Sequence, residues 1–155
     1  MKAKKSISFI LIFATLLFIC MDWNSVSAHL SGAEIQSVIL YVKPGASGNC
    51  ASWANACELQ TALSNAVAGD QIWVAAGTYK PTTDTSRSAT FQLKSGVAIY
   101  GGFPAGGGEW VDRDWETNTT TLSGDIGFLD DNADNSYHVI TGSGVDGTAI
   151  LDGFN

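Results

Sequence analysis

The chain contains 155 residues, of which 45% are hydrophobic and 15% are charged, and its formal net charge is -7. This composition is too apolar for intrinsic disorder, so it predicts a packed core in at most one domain. The acidic balance argues against nucleic acid as a partner, because surfaces that bind nucleic acid need clustered basic side chains. The 17 glycines favour short strands joined by turns over a helical bundle.

Residues 1–28 have the three-part pattern of a cleavable export signal. Three lysines lie within the first five residues, an apolar run follows from residue 7 to residue 21, and a polar stretch ends at Ala28. A membrane anchor is the alternative, but the run is shorter than the roughly 20 residues that cross a bilayer. We therefore expect cleavage between Ala28 and His29, residues 29–37 as a linker, and a secreted or cell-surface protein without a membrane span.

Two cysteines remain once Cys20 leaves with the signal. Cys50 and Cys57 are an even pair in an oxidising compartment, and this predicts a local disulfide. A zinc site would need two further soft ligands, and the available histidines, His29 and His138, lie far away in the sequence. A catalytic thiol would lack a neighbouring base.

The first predicted elements are a strand and a helix. The β-branched and aromatic run at residues 38–42 predicts a strand, and Pro44-Gly45 predicts the turn that ends it. In residues 58–68 the apolar side chains recur with the spacing of one helical stripe, and Gly69 follows as a stop signal.

After Gly69 the pattern changes to short apolar runs between polar turns, and none of them is long enough for a helix. The runs predict strands at residues 72–75, 91–93, 97–100, 121–122, 138–140 and 149–151. Such spacing is typical of a sandwich, a barrel or a parallel β-solenoid.

An ordered set of motifs resembles the opening of secreted bacterial right-handed parallel β-helix surface proteins. The motifs are GNCASWANAC (48–57), LQTAL (59–63), AGDQIWVAAGTY (68–79), IYGGF (99–103), RDWE (113–116), LSGD (122–125) and DNSYHV (134–139). The resemblance covers about residues 38–154. It implies an all-β, right-handed parallel β-helix of pectin-lyase-like fold, in which residues 38–155 form one short capping α-helix and the first coils.

The chain departs from that family in its length. Family members continue through many more coils, whereas the last residues here read as the beginning of another strand, and a solenoid needs terminal caps. We therefore expect a truncated N-terminal part. An uncapped C-terminal coil would favour self-association through its exposed strand edge.

Eight acidic residues and one basic residue lie between residues 109 and 134. Within this cluster, Asp130, Asp131 and Asp134 are the candidates for a calcium site, because Ca²⁺ takes carboxylate and carbonyl oxygens. A solvated acidic loop is the alternative, since the glycine and the distal glutamate of an EF-hand are missing. No other cofactor is expected.

Two tryptophans lie in the same glycine-flanked acidic loop. Trp110 and Trp115 are the candidates for contact with a glycan or a cell-surface partner, because exposed indoles stack on sugar rings. Trp53 and Trp73 have apolar neighbours and are assigned to the core.

The motifs predict an exported protein segment with a structural, adhesive or glycan-contacting role and without catalysis in this chain. The alternative is the N-terminal part of a polysaccharide lyase or glycoside hydrolase of pectin-lyase-like fold, whose active-site coils would lie beyond residue 155. Paired carboxylates could serve glycoside cleavage, but no catalytic motif accompanies them here.

Overall fold

A computed structural model describes residues 36–155 of the chain. The predicted signal, its cleavage point between Ala28 and His29, and most of the predicted linker lie outside the described residues. The strands are β1 (Ile39–Val42), β2 (Gln71–Ala75), β3 (Gly77–Tyr79), β4 (Phe91–Gln92), β5 (Ala98–Phe103), β6 (Thr120–Leu122), β7 (Ile140–Thr141) and β8 (Ile150–Asp152). The helices are α1 (Leu59–Asn65) and two 3-10 helices, Trp53–Asn55 and Trp110–Asp112.

The strands form three small parallel sheets. The largest has the order β1-β2-β5-β8, and the others are the pairs β3-β6 and β4-β7. Every strand pair is parallel, so each connection must carry the chain back to the same end of a sheet. The helix α1 lies in the connection between β1 and β2.

The prediction of an all-β, right-handed parallel β-helix is wrong. Residues 36–155 form a mixed structure of short parallel strands in small sheets with few helices, and no closed solenoid is found among them. A stable solenoid needs about three stacked repeats. Two of the three sheets contain only two strands, and residues 104–119 and 123–139 contribute no strand.

The core lies among the large sheet, α1 and the two small sheets, which contribute Tyr79 from β3 and Phe91 from β4. Side chains alternate along a strand, so every second residue of β1, β2 and β5 points to this core. The apolar stripe of α1 covers it, as the helical spacing predicted. The buried cluster contains Val42, Leu59, Ala62, Leu63, Ile72, Val74, Tyr79, Phe91, Val97 and Ile99. Burial, followed by the charge of Glu58, raises the pKa of the Tyr79 phenol.

The helix α1 is shorter than predicted. It ends at Asn65 instead of residue 68, because the Val67 amide donates to the Asp70 carboxylate (2.9 Å) and not to the helix backbone. The other oxygen of Asp70 accepts the Val38 amide at 3.0 Å. Asp70 thus joins the end of α1 to the entry of β1.

Candidate functional site

A row of aromatic rings crosses the large sheet on the side opposite the core. Tyr41, Trp73 and Tyr100 occupy paired positions in β1, β2 and β5. Their sequence neighbours Ile72 and Ile99 are buried in the core, so alternation places the three rings on the other side. We call this cluster of rings the aromatic face. It comprises Tyr41, Trp53, Trp73, Tyr100, Phe103 and Trp110, of which Trp73 and Phe103 are buried.

The rings of the aromatic face contact one another continuously. Tyr41 lies edge-on to Trp53, with ring centroids 4.9 Å apart, and edge-on to Trp73 at 5.9 Å. Trp73 stacks on Phe103 at 4.6 Å. Edge-to-face and offset-stacked pairs at these distances are favourable arrangements of aromatic rings. The rings therefore form one continuous packed platform rather than a set of independent side chains.

Trp110 extends this platform toward solvent. It begins the second 3-10 helix and lies edge-on to Tyr100, with ring centroids 4.9 Å apart, and 5.6 Å from Trp73. The Asp112 carboxylate accepts the Glu109 amide at 2.8 Å, and the Glu109 carbonyl accepts the Asp112 amide at 3.0 Å, which closes this helical turn. Trp110 remains 44% exposed. The structure thus holds an exposed indole in one orientation.

Arg113 provides the positive charge next to the Trp110 ring. Its guanidinium carbon lies 5.3 Å from the Trp110 centroid and 5.4 Å from the Tyr100 centroid, within cation-π range. Its Nε donates to the Gly101 carbonyl at 2.7 Å, and its guanidinium pairs with Asp152. Arg113 therefore ties the loop that carries Trp110 to β5 and β8.

Trp115 is the more exposed of the two predicted tryptophans, at 54%. Its backbone packs over Gly102, where an added Cβ would lie 2.8 Å from the Trp115 Cα and nitrogen. The Asp114 amide donates to the Gly102 carbonyl at 2.8 Å, which anchors the segment to β5. Trp110 and Trp115 thus lie on one short loop, but within residues 36–155 only Trp110 of the two contacts other aromatic rings.

The acidic side chains near these tryptophans are partly engaged in the backbone of their own loop. The Asp114 carboxylate accepts hydrogen bonds from the Thr117 amide (3.1 Å), the Thr117 hydroxyl (2.8 Å) and the Glu116 amide (3.0 Å). These bonds, those from Thr117 first, lower the pKa of Asp114. The negative charge at this position therefore stabilises the turn beneath Trp115.

The predicted cysteine pair is at disulfide distance, with the Sγ atoms of Cys50 and Cys57 2.02 Å apart. The enclosed loop contains the first 3-10 helix and therefore Trp53. The Tyr41 amide donates to the Cys50 carbonyl (2.9 Å), and the Cys57 amide donates to the Tyr41 carbonyl (3.0 Å). The disulfide loop is thereby fixed to β1, and it holds Trp53 against the aromatic face.

A cleft of about 500 Å³ opens beside Trp53. Lys43, Ser47 and Asn55 are among its lining residues and supply polar groups. The Lys43 ammonium lies 5.7 Å from the Trp53 ring centroid and donates to the Gly106 carbonyl at 2.8 Å. Trp53 is the one aromatic residue among those that line this cleft.

The three calcium candidates, Asp130, Asp131 and Asp134, lie in the loop between β6 and β7. The described residues 36–155 contain no group of three or more His, Cys, Asp or Glu side chains placed to hold a metal ion. Asp130 is exposed and has a left-handed backbone, with φ of 63°. Asp131 accepts the Ala133 amide at 2.8 Å, and Asp134 accepts the Phe128 amide at 2.6 Å.

Sequence reasoning missed Tyr100 and Arg113 as parts of the site. Tyr100 lies in an apolar run that predicts a strand, but the run alone does not indicate on which side of the sheet the Tyr100 ring lies. A strict alternation from Ile99 would have placed Tyr100 on the side away from the core. Arg113 belongs to the RDWE motif, but its role next to Trp110 was not indicated, because its partner Asp152 lies 39 residues away in sequence.

Comparisons with known proteins give no match for this chain, whether with protein-family models, curated proteins or solved structures. Across residues 36–155, the structure contains no helix with the length and apolar character to cross a membrane.

Proposed function

We propose that this chain is an exported protein that contacts glycans through Trp110 of the aromatic face and the neighbouring Trp115, without a catalytic step of its own. The observation that carries the proposal is the state of Trp110, which is 44% exposed yet is packed against Tyr100 and Arg113. An ordered, exposed indole loses little side-chain entropy when it binds a ligand. The apolar C–H face of a sugar ring is the complementary surface for such an indole.

Export is the second element of the proposal. It is supported by the three-part pattern of residues 1–28 and by the disulfide-distance pair of Cys50 and Cys57, since stable disulfides are typical of extracellular compartments. N-terminal sequencing of the secreted protein tests it directly. A mature chain that begins at His29 is expected, whereas an uncleaved Met1 would contradict export with cleavage.

The charge of the chain narrows the class of glycan. The net charge is -7, and four acidic residues, Glu109, Asp112, Asp114 and Glu116, flank the two tryptophans in the sequence. The one basic residue among them, Arg113, is paired with Asp152. A like-charged polymer would be repelled from this surface. The proposed ligands are therefore neutral polysaccharides of the cell surface or its surroundings, and polyuronates are excluded from the proposal.

Affinity electrophoresis of the mature protein in gels with soluble neutral polysaccharides, such as xyloglucan, mixed-linkage β-glucan and mannan, tests the proposal. We expect retardation by at least one of them and none by polygalacturonate. Trp110→Ala and Trp115→Ala should each reduce the retardation, Trp110→Ala by about tenfold in affinity, as for a central aromatic contact. Phe128→Ala, which removes an exposed ring outside the aromatic face, is the matched control and should retain binding.

Two results would contradict the proposal. One is a double variant, Trp110→Ala with Trp115→Ala, that is retarded as strongly as the unmodified protein. The other is retardation by polygalacturonate alone. Circular dichroism of each variant separates a lost contact from a lost fold, because Trp110 also packs on Tyr100.

A further inference from the structure

The loop between β6 and β7 folds back on itself through its own backbone. The Ser136 amide donates to the Gly124 carbonyl at 2.8 Å, and the Phe128 amide donates to an Asp134 carboxylate oxygen at 2.6 Å. An added Cβ at Gly127 would overlap the Asp134 carboxylate. Residues 124–128 therefore lie alongside residues 134–136, with Asp125 between these two contacts.

Four side-chain oxygen atoms in this fold-back are buried and have no hydrogen-bond partner in the described part of the chain. They are Asp125 Oδ1, Asp134 Oδ1, Asn135 Oδ1 and Ser136 Oγ. Buried polar atoms are nearly always paired, and an unpaired buried carboxylate oxygen is strongly unfavourable. All four belong to two short segments, residues 124–128 and 134–136, that the backbone brings together.

Within residues 36–155, no basic side chain pairs with these four oxygen atoms. The single ion pair there joins Arg113 to Asp152. Arg87 is the cation that contacts the fold-back, but its Nε donates to the Asn135 backbone carbonyl at 2.8 Å and its guanidinium lies 4.4 Å from the Tyr137 centroid. The Asn135 side-chain nitrogen donates to Asn132 Oδ1 at 3.3 Å. The Asn135 side-chain oxygen is the atom that has no hydrogen-bond partner in the described part of the chain.

We propose that Asp125, Asp134, Asn135 and Ser136 form a Ca²⁺ site. The four atoms are all oxygens, and two belong to carboxylates, which is the donor set of a hard divalent cation. Ca²⁺ takes six to eight oxygen ligands in flexible geometry, so backbone carbonyls and water would complete the shell. Zinc would require nitrogen or sulfur ligands.

This set differs from the one that the acidic run indicated. It keeps Asp134 from the three sequence candidates and replaces Asp130 and Asp131 with Asp125, Asn135 and Ser136. Bound Ca²⁺ would fasten residues 124–128 to residues 134–136. It would therefore stabilise the connection between β6 and β7 at the millimolar calcium levels typical of extracellular modules.

Isothermal titration of the mature protein with CaCl₂ after chelator treatment tests the site, together with melting curves in Ca²⁺ and in EDTA. We expect one Ca²⁺ per chain and a higher melting temperature in Ca²⁺. Asp125→Asn and Asp134→Asn preserve shape and remove charge, and each should weaken binding by about tenfold or more. Asp130→Asn and Asp131→Asn remove the same charge from the same loop and should leave the dissociation constant within about twofold.

Ser136→Ala is a second test in case the aspartate variants fail to fold. It removes a proposed ligand without changing the net charge, and it should also weaken Ca²⁺ binding. Three results would overturn the proposal. They are the absence of heat and of any melting shift with Ca²⁺, an equal shift with Mg²⁺, and equal losses for the Asp130 and Asp125 variants. The last two results would show general charge screening by an acidic loop.

Discussion

Trp73 stacks on Phe103 with ring centroids 4.6 Å apart and ring planes inclined by 14°. Phe103 reaches this position because the β2-β5 register shifts between Trp73 and Ala75. An extra residue in β5 changes which side of the sheet the following side chains face. Without it, Phe103 would point to the opposite side from Tyr100. The bulge therefore places Phe103 among the rings of the aromatic face.

Phe103→Ala should destabilise the protein by about 3 to 5 kcal/mol, the usual cost of removing a fully buried ring. Phe103 is 0% exposed and contacts Trp53, Trp73 and Trp110. Its loss would leave a cavity under three indoles. Urea unfolding followed by tryptophan fluorescence measures the change.

Phe128→Ala is the matched control for that experiment. Phe128 is 81% exposed, so the same substitution should change the free energy of unfolding by less than about 0.5 kcal/mol. Equal destabilisation by the two substitutions would show that Phe103 does not hold the aromatic face together.

Gly107→Ala should displace the loop that covers Trp53. Gly107 has φ of +91°, and an added Cβ would overlap the Trp53 ring. The neighbouring Gly108 carbonyl accepts the Trp53 Nε1 hydrogen bond at 2.8 Å, so the displacement would also break this bond. We expect a loss of more than about 1 kcal/mol and a shift of the fluorescence spectrum.

Gly106→Ala tests whether the destabilisation is specific to position 107. A Cβ at Gly106 would meet no atom within 4 Å, so we expect a change within about 0.5 kcal/mol. A change of less than about 0.5 kcal/mol for Gly107→Ala would contradict the close packing of this loop on Trp53.

Local sequence patterns predicted most of the strands and the helix, but not the arrangement of the sheets. The stripe of α1 and the apolar run of β2 are readable because their side chains face one core. β3 was missed, since Gly77–Tyr79 is a three-residue strand with one buried side chain. Its pairing with β6 depends on residues more than 40 positions away.

The candidate site was predictable only in part, for a similar reason. Trp110 and Trp115 are exposed as expected, because acidic and glycine neighbours mark a surface loop. Tyr100 and Arg113, which contact Trp110, are brought to it by contacts between residues distant in the sequence. No local sequence pattern reveals such contacts. The four unpaired oxygens near Asp134 likewise become visible only when residues 124–128 and 134–136 lie side by side.

Replacing both cysteines by serine should destabilise the protein by about 2 to 3 kcal/mol, the loss that loop-closure entropy gives for a short loop. Cys50 and Cys57 are separated by seven positions and are buried. Because the loop carries Trp53, tryptophan fluorescence should also shift to longer wavelength. Denaturant unfolding with and without a reducing agent measures both effects. The double variant should not respond to the reducing agent, and an equal response would mean that the pair is not bonded.

The turn beneath Trp115 should make stability depend on pH on the acid side. Hydrogen bonds from Thr117, and then from Glu116, lower the pKa of Asp114 from its ordinary value of 3.8. A lowered folded-state pKa means that the stabilisation is complete above the ordinary value and is lost as the pH falls through the folded-state pKa.

Asp114→Asn should therefore lower the melting temperature at pH 7, and its difference from the unmodified protein should shrink between pH 4 and pH 2. Melting curves across pH 2 to 7 measure this difference. Glu116→Gln removes the same charge from an exposed position two residues away and should show a smaller difference at pH 7. A gap between Asp114→Asn and the unmodified protein that stays constant down to pH 2 would contradict the role of the Asp114 carboxylate, because a protonated carboxyl group no longer accepts these hydrogen bonds with a full negative charge.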